Sequence, residues 1–287
     1  MNTASLQPHF VEVGGATLEV FTGGRGPTTV CFAMYGGEPG LTAEGTDLTQ
    51  ALQADHQIIL VNARGSGHSS PPTKTPWRSL ATDLERVRQY FGVEQWVLSE
   101  YANGVVSTLL YAIDHPERVA ALIIGFFGST SKVWECDNSE LSLAYPATRE
   151  LLSNTRLPPA SASAPSQWLS IDADHWVWLV DSTPYLVWPY PISEWAMNLL
   201  EEARSMPNLL HHLDRVLAPT LVVAGAKDTI ISVEECRLLA DGIAGAEFLV
   251  LPNSAHSDIT AEDRSQHDHV LHDFVRRHGS SKSKKGA

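Results

Sequence analysis

The chain has 287 residues, 43% hydrophobic and 18% charged, and its 33 acidic against 20 basic side chains give a formal charge of −13. That length and apolar content exclude a disordered polypeptide and suffice for one α/β domain with an inserted subdomain. The negative charge argues against nucleic acid as a partner, because phosphate binding needs a basic surface. No apolar run reaches the roughly 18–20 residues of a membrane helix.

Met1–Phe10 has neither a basic start nor a long apolar stretch, so no secretory leader is expected. Cys31, Cys136 and Cys236 are sparse and form no CxxC pair, which points to reduced thiols in a cytoplasmic protein. Phe10–Val13 and Thr17–Phe21 alternate around Gly14-Gly15, a hairpin signal. Thr28–Met34 and Gln57–Val61 are short, β-rich apolar runs. Trp77–Phe91 has helical spacing, with Leu80, Leu84, Val87 and Tyr90-Phe91 on one side. Gln95–Leu98 reads as a strand, Asn103–Ile113 as a helix closed by His115-Pro116, and Val119–Phe126 as a fully apolar strand. Buried strands alternating with helices predict a mostly parallel sheet covered on both faces.

The alternation breaks near Gly128 and resumes near Pro219. The stretch between is rich in Trp and Pro, with Trp134, Trp168, Trp176, Trp178, Trp188 and Trp195, and it carries the low-complexity run Pro158–Pro165. It reads as an inserted cap over 129–216, the Pro/Ala/Ser run being a mobile connection. The core pattern then returns with strand Thr220–Ala224, helix Val233–Ile243, strand Glu247–Leu251 and helix Ala261–His278. A disordered tail is expected over 279–287.

Trp96–Gly104 reads as a strand running into a helix. At this stretch the chain resembles the α/β-hydrolase superfamily, and within it the lineage of proline iminopeptidases and many small esterases and lactonases. Four further segments carry the resemblance. Tyr35-Gly36-Gly37-Glu38-Pro39-Gly40 is similar to the HGGPG loop, with Tyr for His and Glu38 inserted. Asn62–Ser69 is similar to the D-x-R-G-x-G-x-S segment, His115–Val119 matches HPERV, and Pro219–Asp228 matches the strand delivering the catalytic acid. The resemblance implies an eight-stranded, mostly parallel sheet flanked by helices with an inserted helical cap, its core made of 1–128 and 217–278.

In that superfamily the strand-to-helix turn is G-x-S-x-G, and its Ser is the nucleophile. The matching residues here are Glu100-Tyr101-Ala102-Asn103-Gly104. The family's Ser lies about fourteen residues before the Pro of HPERV, which is Ala102; a register with Tyr101 at the apex loses Gly104 from the position that must be small. An Ala methyl neither loses a proton nor attacks a carbonyl. The resemblance further implies Asp228 as acid and His256 as base. For the oxyanion hole it implies the backbone N–H groups of Asn103 and Gly37. Arg64 is expected to tie loops together near the site. Glu38 and Glu100 either hold a substrate ammonium group or, the reading favoured here, are an exposed residue and a hydrogen-bonded structural one. Tyr35 and Tyr101 join them as candidate pocket residues. Trp176 and Trp188 are cap candidates for an aromatic-lined pocket suited to a bulky apolar substrate.

No metal or cofactor is expected. His211-His212 and His267-Asp268-His269 lack a ligand set, the latter on a helix read as exposed, and Gly65-Ser66-Gly67 lacks the rest of a dinucleotide fingerprint. Three functions follow: a serine hydrolase for esters, lactones or amides with Ser replaced by Ala; a nucleophile-free enzyme using the His/Asp pair as base, as in cofactor-independent dioxygenases and hydroxynitrile lyases of this fold; and a non-catalytic ligand-binding protein. Each takes a small-molecule partner, and homo-oligomer formation stays open.

Overall fold

The structure is a computed structural model that describes residues 5–34, 41–43, 46–127, 166–170, 176–180, 183–188, 209–228, 231–256 and 259–279. The hairpin forms as expected, with β1 (Gln7–Glu12) antiparallel to β2 (Thr17–Gly24). β3 (Thr29–Met34), β4 (Gln57–Asn62), β5 (Trp96–Tyr101), β6 (Val119–Gly125), β10 (Thr220–Gly225) and β11 (Glu247–Leu251) complete an eight-stranded sheet. Its order is β1-β2-β4-β3-β5-β6-β10-β11. β2 meets β4 antiparallel, and every pairing from β4 to β11 is parallel.

The apolar runs are continuous because both faces of the central strands are covered. Along β6, Leu122 and Ile124 point to one cluster and Ala121 and Ile123 to the other. The first cluster is closed by α2 (Pro76–Tyr90), α3 (Val105–Asp114) and α4 (Val233–Gly242), through residues such as Leu84, Leu109 and Leu239. The second is closed by α1 (Asp47–Leu52) and α5 (Ala261–His278), through Leu52, Leu271 and Phe274. Each such fully buried side chain is worth roughly 1.5–3 kcal/mol. On α2 the expected stripe holds for Leu80, Leu84 and Val87, and Phe91 packs against it, but Tyr90 is exposed.

Outside the insertion's sheet, two further elements were not expected. α1 is only six residues long and starts at a capping box in which Thr46 and Thr49 bond each other's backbone. Leu209–Arg215, which holds His211-His212, forms 3₁₀ turns. Within the insertion the described residues form a three-stranded antiparallel sheet, β7 (Ser166–Ser170), β8 (Trp176–Val180) and β9 (Thr183–Trp188). The cap was expected to be helical; where it is described it is this sheet and the 3₁₀ turns of Leu209–Arg215, while its remaining residues, Pro158–Pro165 among them, and 280–287 lie outside the described residues.

Candidate active site

β5 runs three residues beyond Leu98, then breaks into one 3₁₀ turn, Ala102–Gly104, which opens α3. Ala102 has φ 55. A left-handed conformation costs an L residue about 1–2 kcal/mol, and such strain persists only where the surroundings dictate it. Among the described residues the other non-glycine with positive φ is Phe126, at 50, just past the end of the neighbouring strand β6. Both lie at the carboxyl end of the parallel strands, the edge at which open α/β sheets bind ligands.

Glu100 shapes the turn from below. Its carboxyl accepts hydrogen bonds from the backbone N–H of Tyr101, at 3.1 Å, and of Ala33. Burial pushes it up to about 8, with those two N–H groups only partly offsetting the desolvation. The side chain lies against Gly104, where an added Cβ would stand 2.1 Å from its Cγ. Glu100 is thus buried and hydrogen-bonded to the backbone of its own turn and of β3.

His256 and Asp228 come together as the resemblance implied. His256 Nδ1 lies 2.9 Å from Asp228 Oδ2, and the Asp228 side chain is 1% exposed against 28% for the imidazole. Asp228 Oδ1 accepts from the Ile231 N–H at 2.9 Å. A carboxylate only accepts, so Nδ1 is the donor of this bond, and the tautomer that makes it leaves the lone pair on Nε2. Two features hold the pair. Lys227 N–H donates to Ser254 C=O at 3.0 Å. Gly225 permits the approach of the two loops, since a Cβ there would lie 2.5 Å from the Ser254 oxygen.

The loop before His256 is anchored on α5. Asp263 accepts from Asn253 N–H at 2.7 Å, Asn253 Nδ2 at 3.0 Å and Ser254 Oγ at 2.8 Å. Burial alone would raise this carboxyl, but the donors outweigh it and hold it below the usual carboxylate range. One turn further along, His267 corrects the sequence reading of an exposed pair: its side chain is 0% exposed. Its Nε2 lies 2.7 Å from Tyr101 Oη and its Nδ1 2.9 Å from Asp268 Oδ1. Asp263 and His267 escaped the sequence reading because they are polar, yet with Leu271, Phe274 and Val275 they form the buried stripe of α5. The signal was the i, i+4 spacing onto an apolar stripe.

The Tyr101 hydroxyl is therefore turned into the protein, and its ring stacks edge-on to Phe126 at 5.2 Å between centroids. Phe126 lies in turn 6.5 Å from the His256 ring. Arg64 ties loops together as expected, with Nε and Nη2 each 2.8 Å from Asp83 on α2 and Nη2 also donating to Val13 C=O. Asn62, where the family has Asp, holds Leu41 by both backbone groups, its Oδ1 accepting at 2.7 Å and its Nδ2 donating at 3.0 Å. Leu41 directly follows the Gly-rich loop.

Tyr35, Gly37 and Glu38 lie outside the described residues, as does the side chain of Asn103, whose backbone forms the 3₁₀ turn. Of Trp176 and Trp188 the structure gives the backbone: they face each other across β8 and β9. Among the described residues no group of three or more His, Cys, Asp or Glu could hold a metal, and no helix is long and apolar enough to cross a membrane.

Residues 37–124 match the family model for the alpha/beta hydrolase fold. The chain is 33% identical over 97 residues, 31% of each protein, to the proline iminopeptidase of Neisseria meningitidis serogroup A, so the match spans about a third of that relative. It is 25% identical over 219 residues, 74% of this chain and 78% of the relative, to a putative carbamate hydrolase of Variovorax paradoxus. Among solved structures, an alpha/beta fold family hydrolase from Bacillus anthracis superposes with a TM-score of 0.67 at 16% identity, covering 94% of this chain and all of that one. Sheet order, the strained strand-to-helix turn and these likenesses agree, and the chain has the α/β-hydrolase fold.

Proposed function

We propose that this chain carries the site of a hydrolase for a carboxylic ester, lactone or amide with a bulky apolar or aromatic part, and that Ala102 stands where the attacking hydroxyl belongs. The observation that carries the reading is a complete His256–Asp228 pair, at 2.9 Å, in a chain whose turn residue Ala102 has φ 55. With Ser at 102, His256 Nε2 takes the hydroxyl proton while Asp228 fixes the tautomer and stabilises the imidazolium. The backbone N–H groups of Asn103 and Gly37 receive the oxyanion. His256 then protonates the leaving group, and water clears the acyl-enzyme. The names of the relatives, a peptidase and a carbamate hydrolase, support attack at a carbonyl bearing nitrogen. Cap tryptophans support an aromatic-lined pocket, and the free, buried thiols of Cys31 and Cys236 support a cytoplasmic setting.

As it stands the chain lacks the group that forms an acyl-enzyme. Ala102→Ser tests the reading. The variant should be labelled by a fluorophosphonate and release p-nitrophenol from aryl esters in a burst. Its gain over the parent should be on the order of 10⁴–10⁶, the scale of triad deletions elsewhere. A folded variant that neither labels nor turns over refutes the proposal.

A second reading starts from the same intact pair in a chain with a methyl at position 102: His256 abstracts a substrate proton directly, with no nucleophile. The parent would then be active as it is and would lose activity in His256→Ala.

A further inference from the structure

α5 makes two separate attachments at the site. Asp263 takes three hydrogen bonds from Asn253 and Ser254, in the loop that leads to His256. Four residues later, His267 meets Tyr101, the residue before Ala102. A spacing of four places both side chains on one face of the helix, about 6 Å apart along its axis. Leu271, Phe274 and Val275 press the remainder of that face into the core.

The chain of donors has one self-consistent arrangement. Asp268 accepts only, so His267 Nδ1 carries the proton and Nε2 accepts from the Tyr101 hydroxyl. Burial keeps that arrangement neutral at its centre. It raises the phenol above its usual range and lowers the imidazole, which Asp268 only partly restores. A phenylalanine or leucine at 267 would fill the same space without the cost of burying polar groups. What the relay adds is direction, because a hydrogen bond fixes the angle and register of two elements more sharply than apolar contact does.

We propose that His267 is a positioning residue: with Asp263 one turn earlier, it makes α5 the spacer that fixes the turn at Ala102 relative to His256. This rests on the proposed reading of Ala102 and His256 as parts of one site. A misplacement of about 1 Å between reacting groups costs on the order of a hundredfold in rate, which is why such a spacer matters.

The test compares His267→Asn with His267→Gln. Gln carries an acceptor near the place of Nε2 and can keep the Tyr101 bond; Asn reaches only as far as Nδ1 and cannot. Tyr101→Phe removes the hydroxyl with no change of shape, and serves if the Asn variant fails to fold. The first readout, made on the chain as it stands, is hydrogen exchange followed by mass spectrometry. The peptide over 96–104 should exchange on the order of tenfold faster in Asn or Phe, with Gln near the parent and the distant β1–β2 hairpin unchanged. The second readout places the same substitutions beside Ala102→Ser. Fluorophosphonate labelling and kcat should fall tenfold to a hundredfold in Asn or Phe with KM little changed, and Gln should stay within about threefold. Equal labelling by Asn and Gln, or a uniform rise in exchange over the whole chain, overturns the positioning role. If Ala102→Ser itself never labels while exchange still responds selectively to Asn, the hydrolase reading fails and the spacer stands.

Discussion

Gly104 and Glu100 offer a direct measurement of how tightly the turn is packed. Gly104 has φ −64 and ψ −21, so alanine fits its backbone without strain. On backbone grounds alone Gly104→Ala should stabilise by about 0.4–1 kcal/mol through the unfolded chain. The new Cβ, however, would lie 2.1 Å from Glu100 Cγ, 2.4 Å from Cδ and 2.7 Å from Oε1. Ordinary carbon contacts are about 3.5–4.0 Å, so Glu100 must move by more than an ångström. Its carboxyl is held by the N–H groups of Tyr101 and Ala33, and moving it weakens both bonds, each worth roughly 0.5–1.5 kcal/mol. Overpacking adds about 1–3 kcal/mol, so the net cost should be about 2–4 kcal/mol. In a Glu100→Gly background the obstacle is gone and the same change should be neutral or slightly stabilising. Urea unfolding of the four proteins of this cycle gives the coupling, expected at roughly 2–4 kcal/mol. A cost under about 0.5 kcal/mol in the parent, or an equal cost in both backgrounds, would refute the packing argument.

The pH dependence of stability follows from the same carboxyl. Glu100 is held at about 8 against 4.5 when unperturbed, so between these values the native state binds more protons than the unfolded one. Stability from this group is complete below about pH 4.5 and is lost as pH rises toward 8. Relative to Glu100→Gln, the urea midpoint of the parent should therefore fall between pH 5 and 8; a constant difference would count against burial as the cause. In Ala102→Ser, adding Asp228→Asn should lower kcat on the order of 10⁴, by loss of the correct imidazole tautomer, read by ester hydrolysis. Arg64→Ala leaves Asp83, whose carboxyl burial already raises despite the guanidinium, without its partner. Thermal unfolding should show a loss of about 3–5 kcal/mol at most, less for the partial exposure of Arg64.

The parts that could be read in the sequence were those with a single physical cause. Val119–Gly125 is apolar throughout because both its faces are buried, and the helix expected over Ala261–His278 has those bounds in the structure. Asp228 and His256 were implied by the family resemblance, and each lies within a few residues of the end of a strand, β10 or β11, that fixes where its loop begins. α1 was missed because six residues carry too little periodicity, and packing of Leu52 decides it. The relay of Tyr101, His267 and Asp268 was missed because polarity on a helix usually marks solvent. Here a buried partner 166 positions away in sequence satisfies it.

Ala102 adopts its left-handed backbone although nothing in its side chain favours it. The surroundings that hold the turn are the Glu100 carboxyl, bonded to the Tyr101 N–H, and His267 of α5, bonded to the Tyr101 hydroxyl. Many alanine and serine codons differ in one base. On the proposed reading of the site, one base change would therefore supply the attacking hydroxyl without any rebuilding of the scaffold around it.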